Sequence, residues 1–115
     1  MARYTSSFMV NTTLEQLPVL LSQLLDSCDF EVVYQASDYW MGREIPGKIV
    51  FSKLVMVEVL IERTNATEDQ VPVTFVVKND ELPLNPNNHC HQKFEQIQQI
   101  LSQSQQWHLI AAVAS

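Results

Sequence analysis

Two stretches of the sequence decide the fold: residues 50–63, VFSKLVMVEVLIER, and residues 71–78, VPVTFVVK. In both, apolar residues recur at every second position, which places them on one face of a β-strand. Valine is the commonest of these residues, and β-branched side chains favour strands. The opposite face of the first stretch is half apolar and half acidic, with Glu58 and Glu62. The two stretches therefore predict strands of a sheet that has one buried and one solvated face.

Further strands are predicted on both sides of these two. Residues 4–10 alternate between two faces, with aromatic and β-branched side chains among them. Residues 30–36 predict another strand, and one of its faces carries Phe30, Val32, Tyr34 and Ala36. Residues 39–41 either extend that strand or form a short separate one. Residues 107–113 alternate only weakly and predict a last strand or a helical tail.

Two helices are predicted, one before and one after the central strands. Thr12 and Thr13 are followed at the third position by an acceptor, which is the capping-box pattern at a helix start. Because Pro18 disfavours helix at the preceding residue, we expect an irregular first turn and a regular helix over residues 18–27. The second helix is expected to begin near Asn85 or Asn87 and to bury an apolar stripe of Cys90, Phe94, Ile97 and Leu101.

This order of elements predicts a single α+β domain over residues 1–115. We expect a mostly antiparallel sheet of four to five strands with two helices on one face, in the order β-α-β-β-β-α and with a final strand as an option. Hydrophobic residues make up 46% of the chain and charged residues 17%. The charged share is below the usual value of about 25%, which excludes a disordered chain and indicates that a partner covers part of the surface.

Charge and composition exclude several classes of function. The net charge of −6 repels phosphate groups, so neither nucleic acid nor an anionic membrane is expected as a partner. Two glycines are too few for a phosphate-binding loop. The start of the chain has no apolar segment of a signal peptide, no stretch is long enough to span a bilayer, and two cysteines make no disulfide framework. We therefore expect a cytoplasmic protein.

Three groups of reactive side chains are candidates for chemistry, and each has a simpler interpretation. His89, Cys90 and His91 are zinc-ligand types, but neighbours on a helix point in different directions. Cys90 near a helix start is a candidate nucleophile, yet the apolar stripe favours a buried, inert thiol with two solvated histidines beside it. Glu58 and Glu62 form a candidate acid–base pair, but alternate charges usually mark the wet side of a sheet. The sequence predicts no catalytic residue, metal or cofactor.

One aromatic segment is a candidate ligand or interface site. Residues 39–44, YWMGRE, place three large side chains beside a turn and an ion pair, and these residue types are enriched at interfaces and pocket mouths. The alternative is that the large side chains fill the core. The candidate residues, expected to line an apolar pocket between the sheet and the second helix, are Tyr39, Trp40, Met41, Arg43, Met56, Trp107 and His108.

The last third of the chain is nearly free of charge. From residue 82 to residue 115 only Lys93 and Glu95 carry a charged side chain. Depletion of charge is typical of interface cores, and symmetric dimers are the commonest oligomers. We therefore expect a non-catalytic protein-binding or adaptor module that forms a homodimer, or binds a protein partner, through its C-terminal helix and tail. The alternatives are a carrier of a small hydrophobic ligand and an enzyme that uses carboxylates or histidines.

Overall fold

The computed structural model describes residues 1–47 and 49–114. The described chain forms six strands and two helices, which are β1 (Ala2–Val10), α1 (Leu17–Ser27), β2 (Phe30–Gln35), β3 (Tyr39–Glu44), β4 (Met56–Ile61), β5 (Val71–Asn79), α2 (His89–Ser102) and β6 (Trp107–Ala114). Short 3-10 turns lie at Phe51–Lys53 and Arg63–Asn65. The predicted α+β class is confirmed, and the C-terminal segment is a strand.

The six strands form one sheet in the order β2-β3-β4-β5-β1-β6. Every pair of neighbours is antiparallel. The first strand of the chain thus lies inside the sheet, between β5 and the last strand. β2 and β6 form the two edges, and each of these strands contains one register shift.

Both helices pack on the same face of the sheet, as the sequence predicts. The leucines of α1 and the apolar stripe of α2 belong to one buried cluster with the inward side chains of the strands. Fully buried members include Leu21, Phe75 and Ile97. Burial of each such side chain stabilises the fold by roughly 1.5–3 kcal/mol. The opposite face of the sheet has no helix over it in the described part of the chain, and we call it the uncovered face.

β4 is shorter than the predicted strand over residues 50–63. It begins at Met56, which pairs with Arg43 of β3. One residue further along β3, the Glu44 carboxylate accepts a hydrogen bond from the backbone N–H of Val55. The Glu44 side chain thus accepts from an N–H group that would donate to the backbone of β3 if the ladder continued. Residues 45–47 and 49–54 lie outside the sheet, and Phe51 at the 3-10 turn is exposed.

The helix starts differ in how well the sequence predicts them. In α1, the Thr13 hydroxyl accepts a hydrogen bond from Gln16 N–H, and the regular helix begins at Leu17 after an irregular turn, as expected. In α2, the expected caps Asn85 and Asn87 are wrong. Asn88 is the cap, since its side chain accepts a hydrogen bond from His91 N–H at 2.8 Å.

The prediction that Phe30, Val32, Tyr34 and Ala36 share one face is also wrong. Between Val32 and Tyr34 the pairing of β2 with β3 shifts by one residue, and Tyr34 pairs with Met41. A bulge of this kind reverses the faces of all residues beyond it. The strand ends at Gln35, so Ala36 lies in the turn.

Candidate functional site

The seven candidate site residues divide between the two faces of the sheet. Trp40 and Trp107 lie on the helix-covered face, with only 1% and 7% of their surface exposed. Tyr39 and Met41 flank Trp40 in β3, and the pleat therefore directs them to the uncovered face. Arg43, its strand partner Met56 and, at the far edge, His108 lie on that face too. The structure therefore does not bring the seven side chains into one pocket.

A polar cluster occupies the middle of the uncovered face. The Tyr39 hydroxyl donates a hydrogen bond to the Glu58 carboxylate, and Lys78 Nζ lies 2.7 Å from Glu58 Oε1. Partial burial opposes ionisation of Glu58, but the bonds from Lys78 and Tyr39 and the charges of Lys78 and Arg3 outweigh it and lower its pKa. Burial and the contact with Glu58 raise the pKa of Tyr39 to about 12. Glu58 is thus ionised and already bonded at neutral pH, which suits a structural role.

The residues around the start of α2 make contacts that the sequence did not predict. His89 is not solvated, because its Nε2 lies 2.9 Å from both carboxylate oxygens of the buried Glu44. His91 packs edge-on against the Tyr4 ring, with the ring centroids 5.1 Å apart. The sequence suggested an ion pair between Arg43 and Glu44, but Arg43 binds Glu31 instead.

Cys90 is buried, as predicted. Burial and the nearby charges of Glu81 and Glu44 raise the pKa of its thiol to about 12, so the thiolate is not formed at neutral pH. The same holds for the buried Cys28, whose pKa is raised to about 11 by burial. Within residues 1–47 and 49–114, no group of three or more His, Cys, Asp or Glu side chains is arranged to hold a metal ion.

β6 is an exposed and uncharged edge of the sheet. It runs for eight residues, WHLIAAVA, and every residue after Trp107 is exposed. The exposed fractions reach 56% for Leu109, 60% for Ile110 and 57% for Val113. Only β1 pairs with this strand in the described chain, so its other edge presents free backbone groups.

The hydrogen-bond pattern shows which backbone groups of β6 point outward. Asn11 N–H donates to Gln106 O at 2.7 Å just before the strand begins. Alternation along β1 then directs the backbone of Ser7 and Thr5 towards their partners Ala111 and Val113. Ala112 lies between these two, and its N–H and C=O therefore point away from β1. A strand that pairs with β6 would bind these outward groups.

A groove runs beside the β6 edge, between this strand and α2. Its volume is about 380 Å³. The aromatic rings of Phe8 and Trp107, packed edge-to-face with centroids 5.9 Å apart, form its floor together with Leu109. The wall from α2 is polar and consists of Glu95, Gln98, Gln99 and Ser102. The groove extends the apolar surface of the edge strand onto the helix-covered side.

Comparison with protein families, with curated proteins and with solved structures gives no match for this chain. Among the described residues, no helix combines the length and the apolar character needed to cross a lipid bilayer. The site is therefore defined by its own geometry. Its strongest feature, the β6 edge, includes two of the candidate residues, Trp107 and His108. The exposed Leu109, Ile110 and Val113 were not singled out, although the uncharged run that contains them was.

Proposed function

We propose that the protein is a non-catalytic protein-binding module that forms a homodimer by antiparallel pairing of the β6 strands of two copies. The observation that supports this proposal is the eight-residue edge strand, which is exposed and carries no Asp, Glu, Lys or Arg. A long, apolar edge without charges is a template for another strand. Pairing would extend the sheet and satisfy the outward backbone groups of Ala112 and its alternate neighbours.

A second copy is favoured as the partner by symmetry and by charge. An antiparallel pair of identical strands is related by a two-fold axis, so one strand is complementary to itself. Each chain has a net charge of −6, and two copies therefore repel each other over most of their surfaces. The β6 edge avoids this repulsion because it is uncharged. Of the two charged residues in α2, Lys93 is buried and donates to Cys28 O at 2.5 Å.

The α2–β6 groove adds apolar area to the same interface. Leu109 belongs to both the edge strand and the groove, so a partner strand that pairs with β6 would lie along the groove. Each backbone hydrogen bond contributes about 0.5–1.5 kcal/mol, and the apolar area adds roughly 25 cal/mol per Å² removed from water. The backbone bonds and the apolar contact together favour a stable dimer over a transient encounter.

Sedimentation velocity at micromolar concentration tests the dimer. We expect the unmodified protein to sediment as a dimer and Ala111→Lys to sediment as a monomer, because lysine on an edge strand blocks pairing. The matched control is Leu60→Lys, which places the same charge on the uncovered face at the central strand β4. A monomeric unmodified protein, or equal dissociation of both variants, would contradict the proposal.

A proline at Ala112 tests the pairing mode. Its outward N–H makes no bond to β1, so Ala112→Pro removes a donor from the edge and leaves the β1–β6 ladder intact. We expect this variant to be monomeric and folded. Val113→Pro is the control, since it removes a bond to β1 and should reduce the free energy of unfolding by about 1 kcal/mol. A dimer that tolerates Ala112→Pro would mean that α2 side chains, and not the β6 backbone, form the interface.

A further inference from the structure

A second concave site lies at the opposite end of the helix layer from the α2–β6 groove. It is a pocket of about 370 Å³ between the start of α1 and the β2–β3 turn. This volume is within the range of small-molecule sites, roughly 300–1,000 Å³. Leu14, Pro18, Trp40 and Ile61 supply its apolar lining. Trp40 thus fills the core with almost all of its surface and reaches this pocket only with its small exposed edge.

A single cation lies in the lining of this apolar pocket. Arg63, in the turn after β4, is the one charged residue among the residues that line it. Its Nη1 donates to the backbone oxygen of Ser37 at 3.3 Å, which holds the side chain across the pocket. Among residues 1–47 and 49–114, no carboxylate lies within ion-pair distance of this guanidinium. The neighbouring Glu62 accepts a hydrogen bond from Asn65 instead.

The Arg63 guanidinium, which has no ion pair in the described part of the chain, contrasts with two cations of the sheet, Arg43 and Lys78. Arg43 is neutralised by Glu31 at 2.6 Å, and Lys78 by Glu58 at 2.7 Å. A guanidinium carries five N–H donors in a planar fork that fits a carboxylate. With one donor used by Ser37, enough remain for a bidentate contact. Positive charge at an apolar pocket is complementary to an apolar molecule that carries one negative group.

We propose that this pocket binds a small monocarboxylic acid with a compact apolar body. The carboxylate binds the Arg63 guanidinium, and the apolar body packs against Leu14 and Pro18, next to the exposed edge of Trp40. A charge-assisted bond next to an apolar surface is stronger than the same bond in open water. The net charge of −6 opposes any anion, so binding depends on the local cation and weakens as salt is added. The site lies away from β6 and does not depend on dimer formation.

Protein NMR with phenylacetate as the probe tests the pocket. The indole N–H groups of Trp40 and Trp107 give two separate signals, and the second serves as an internal control. We expect phenylacetate to shift the Trp40 signal and to leave that of Trp107 unchanged. Phenylacetamide has the same shape without the charge, and we expect it to bind about tenfold more weakly. Equal affinity for the two compounds, or no shift at Trp40 with millimolar phenylacetate, overturns the proposal.

Substitution of the arginine completes the test. We expect Arg63→Gln to weaken phenylacetate binding about tenfold and to remove its preference over phenylacetamide. Arg43→Gln is the matched control, because Arg43 is also exposed but lies on the uncovered face and is paired with Glu31. It should bind phenylacetate as the unmodified protein does. Unchanged binding by Arg63→Gln, with its spectrum otherwise that of the folded protein, contradicts the assignment.

Discussion

The two edges of the sheet both expose apolar side chains but differ in charge and length. β2 has six residues, among them Glu31, which pairs with Arg43 of the neighbouring strand. β6 has eight residues and no Asp, Glu, Lys or Arg. Both strands contain one register shift, so irregularity does not distinguish them. Exposed valines and leucines therefore do not distinguish the two edges, and the proposed interface rests on the absence of charge along the whole of β6.

The same division extends across the uncovered face. Glu31, Arg43, Glu58 and Lys78 lie on strands β2 to β5, and their charges are paired with each other. No such pair lies on β6. The protein thus has a charged side, where self-association brings like charges close together, and an uncharged side, where it does not. This arrangement allows one interface per copy, and a symmetric dimer is the product that such an interface gives.

The two tryptophans provide the largest expected effect, because each lies near one of the edges. Trp40 lies in β3 beside β2, and Trp107 lies in β6 itself. Both are buried, so Trp40→Ala and Trp107→Ala should each reduce the free energy of unfolding by about 3–5 kcal/mol. Only Trp107→Ala should also weaken the dimer, since it removes the floor of the α2–β6 groove. Urea unfolding at several protein concentrations separates the effect on folding from the effect on the dimer. The midpoint of unfolding depends on protein concentration only when the folded state is a dimer. Equal concentration dependence in both variants would remove the distinction between the edges.

The parts of the fold that the sequence predicts are those set by local pattern. Alternation from Val55 to Ile61 and from Val71 to Val77 identifies two strands and their buried faces, and the period of three and four identifies the helical stripes. These patterns suffice for the class and for the placement of both helices on one face. They are reliable because a shift by one residue would expose the whole apolar set.

What the sequence does not predict depends on contacts between distant residues. The start of α2 is one case, since the capping Asn88 is held by a hydrogen bond to Tyr4, 84 residues earlier in the chain. The divided candidate site is another. The pleat of the strand predicted at residues 39–41 already separates Trp40 from Tyr39 and Met41, and only the face on which each side chain lies depends on the distant contacts of β3. The pocket at Arg63 joins a helix start, a hairpin turn and a strand end, and no local pattern connects these.

The Glu58 cluster gives an intermediate effect and belongs to the charged side of the sheet. The pKa of the Glu58 carboxyl group is lower in the folded protein than the ordinary value of 4.5. The carboxylate therefore stabilises the fold above that value, and this contribution is lost as the pH falls through the lowered pKa. We expect Glu58→Gln to reduce the free energy of unfolding by about 1 kcal/mol at pH 7, and the difference from the unmodified protein to shrink below about pH 4. Urea unfolding at a series of pH values measures both. If the stability difference between Glu58→Gln and the unmodified protein stays constant down to pH 3, the charge of Glu58 does not stabilise the fold. An effect of Glu58→Gln on the dimer would contradict its assignment to the charged side.

The smallest effect on stability, and the sharpest test of the comparison, comes from removing the charge of the β2 edge. Glu31 and Arg43 are both about half exposed, and such a pair contributes at most about 1 kcal/mol. The double substitution Glu31→Val and Arg43→Val should therefore change the unfolding free energy little. It should nevertheless leave β2 as uncharged as β6, and we expect species larger than a dimer in sedimentation velocity. The double substitution by glutamine is the control, because it removes the charge but keeps a polar edge. If the valine variant remains a dimer at high concentration, charge is not what keeps the β2 edge unpaired, and the shorter length of that strand would have to be the reason.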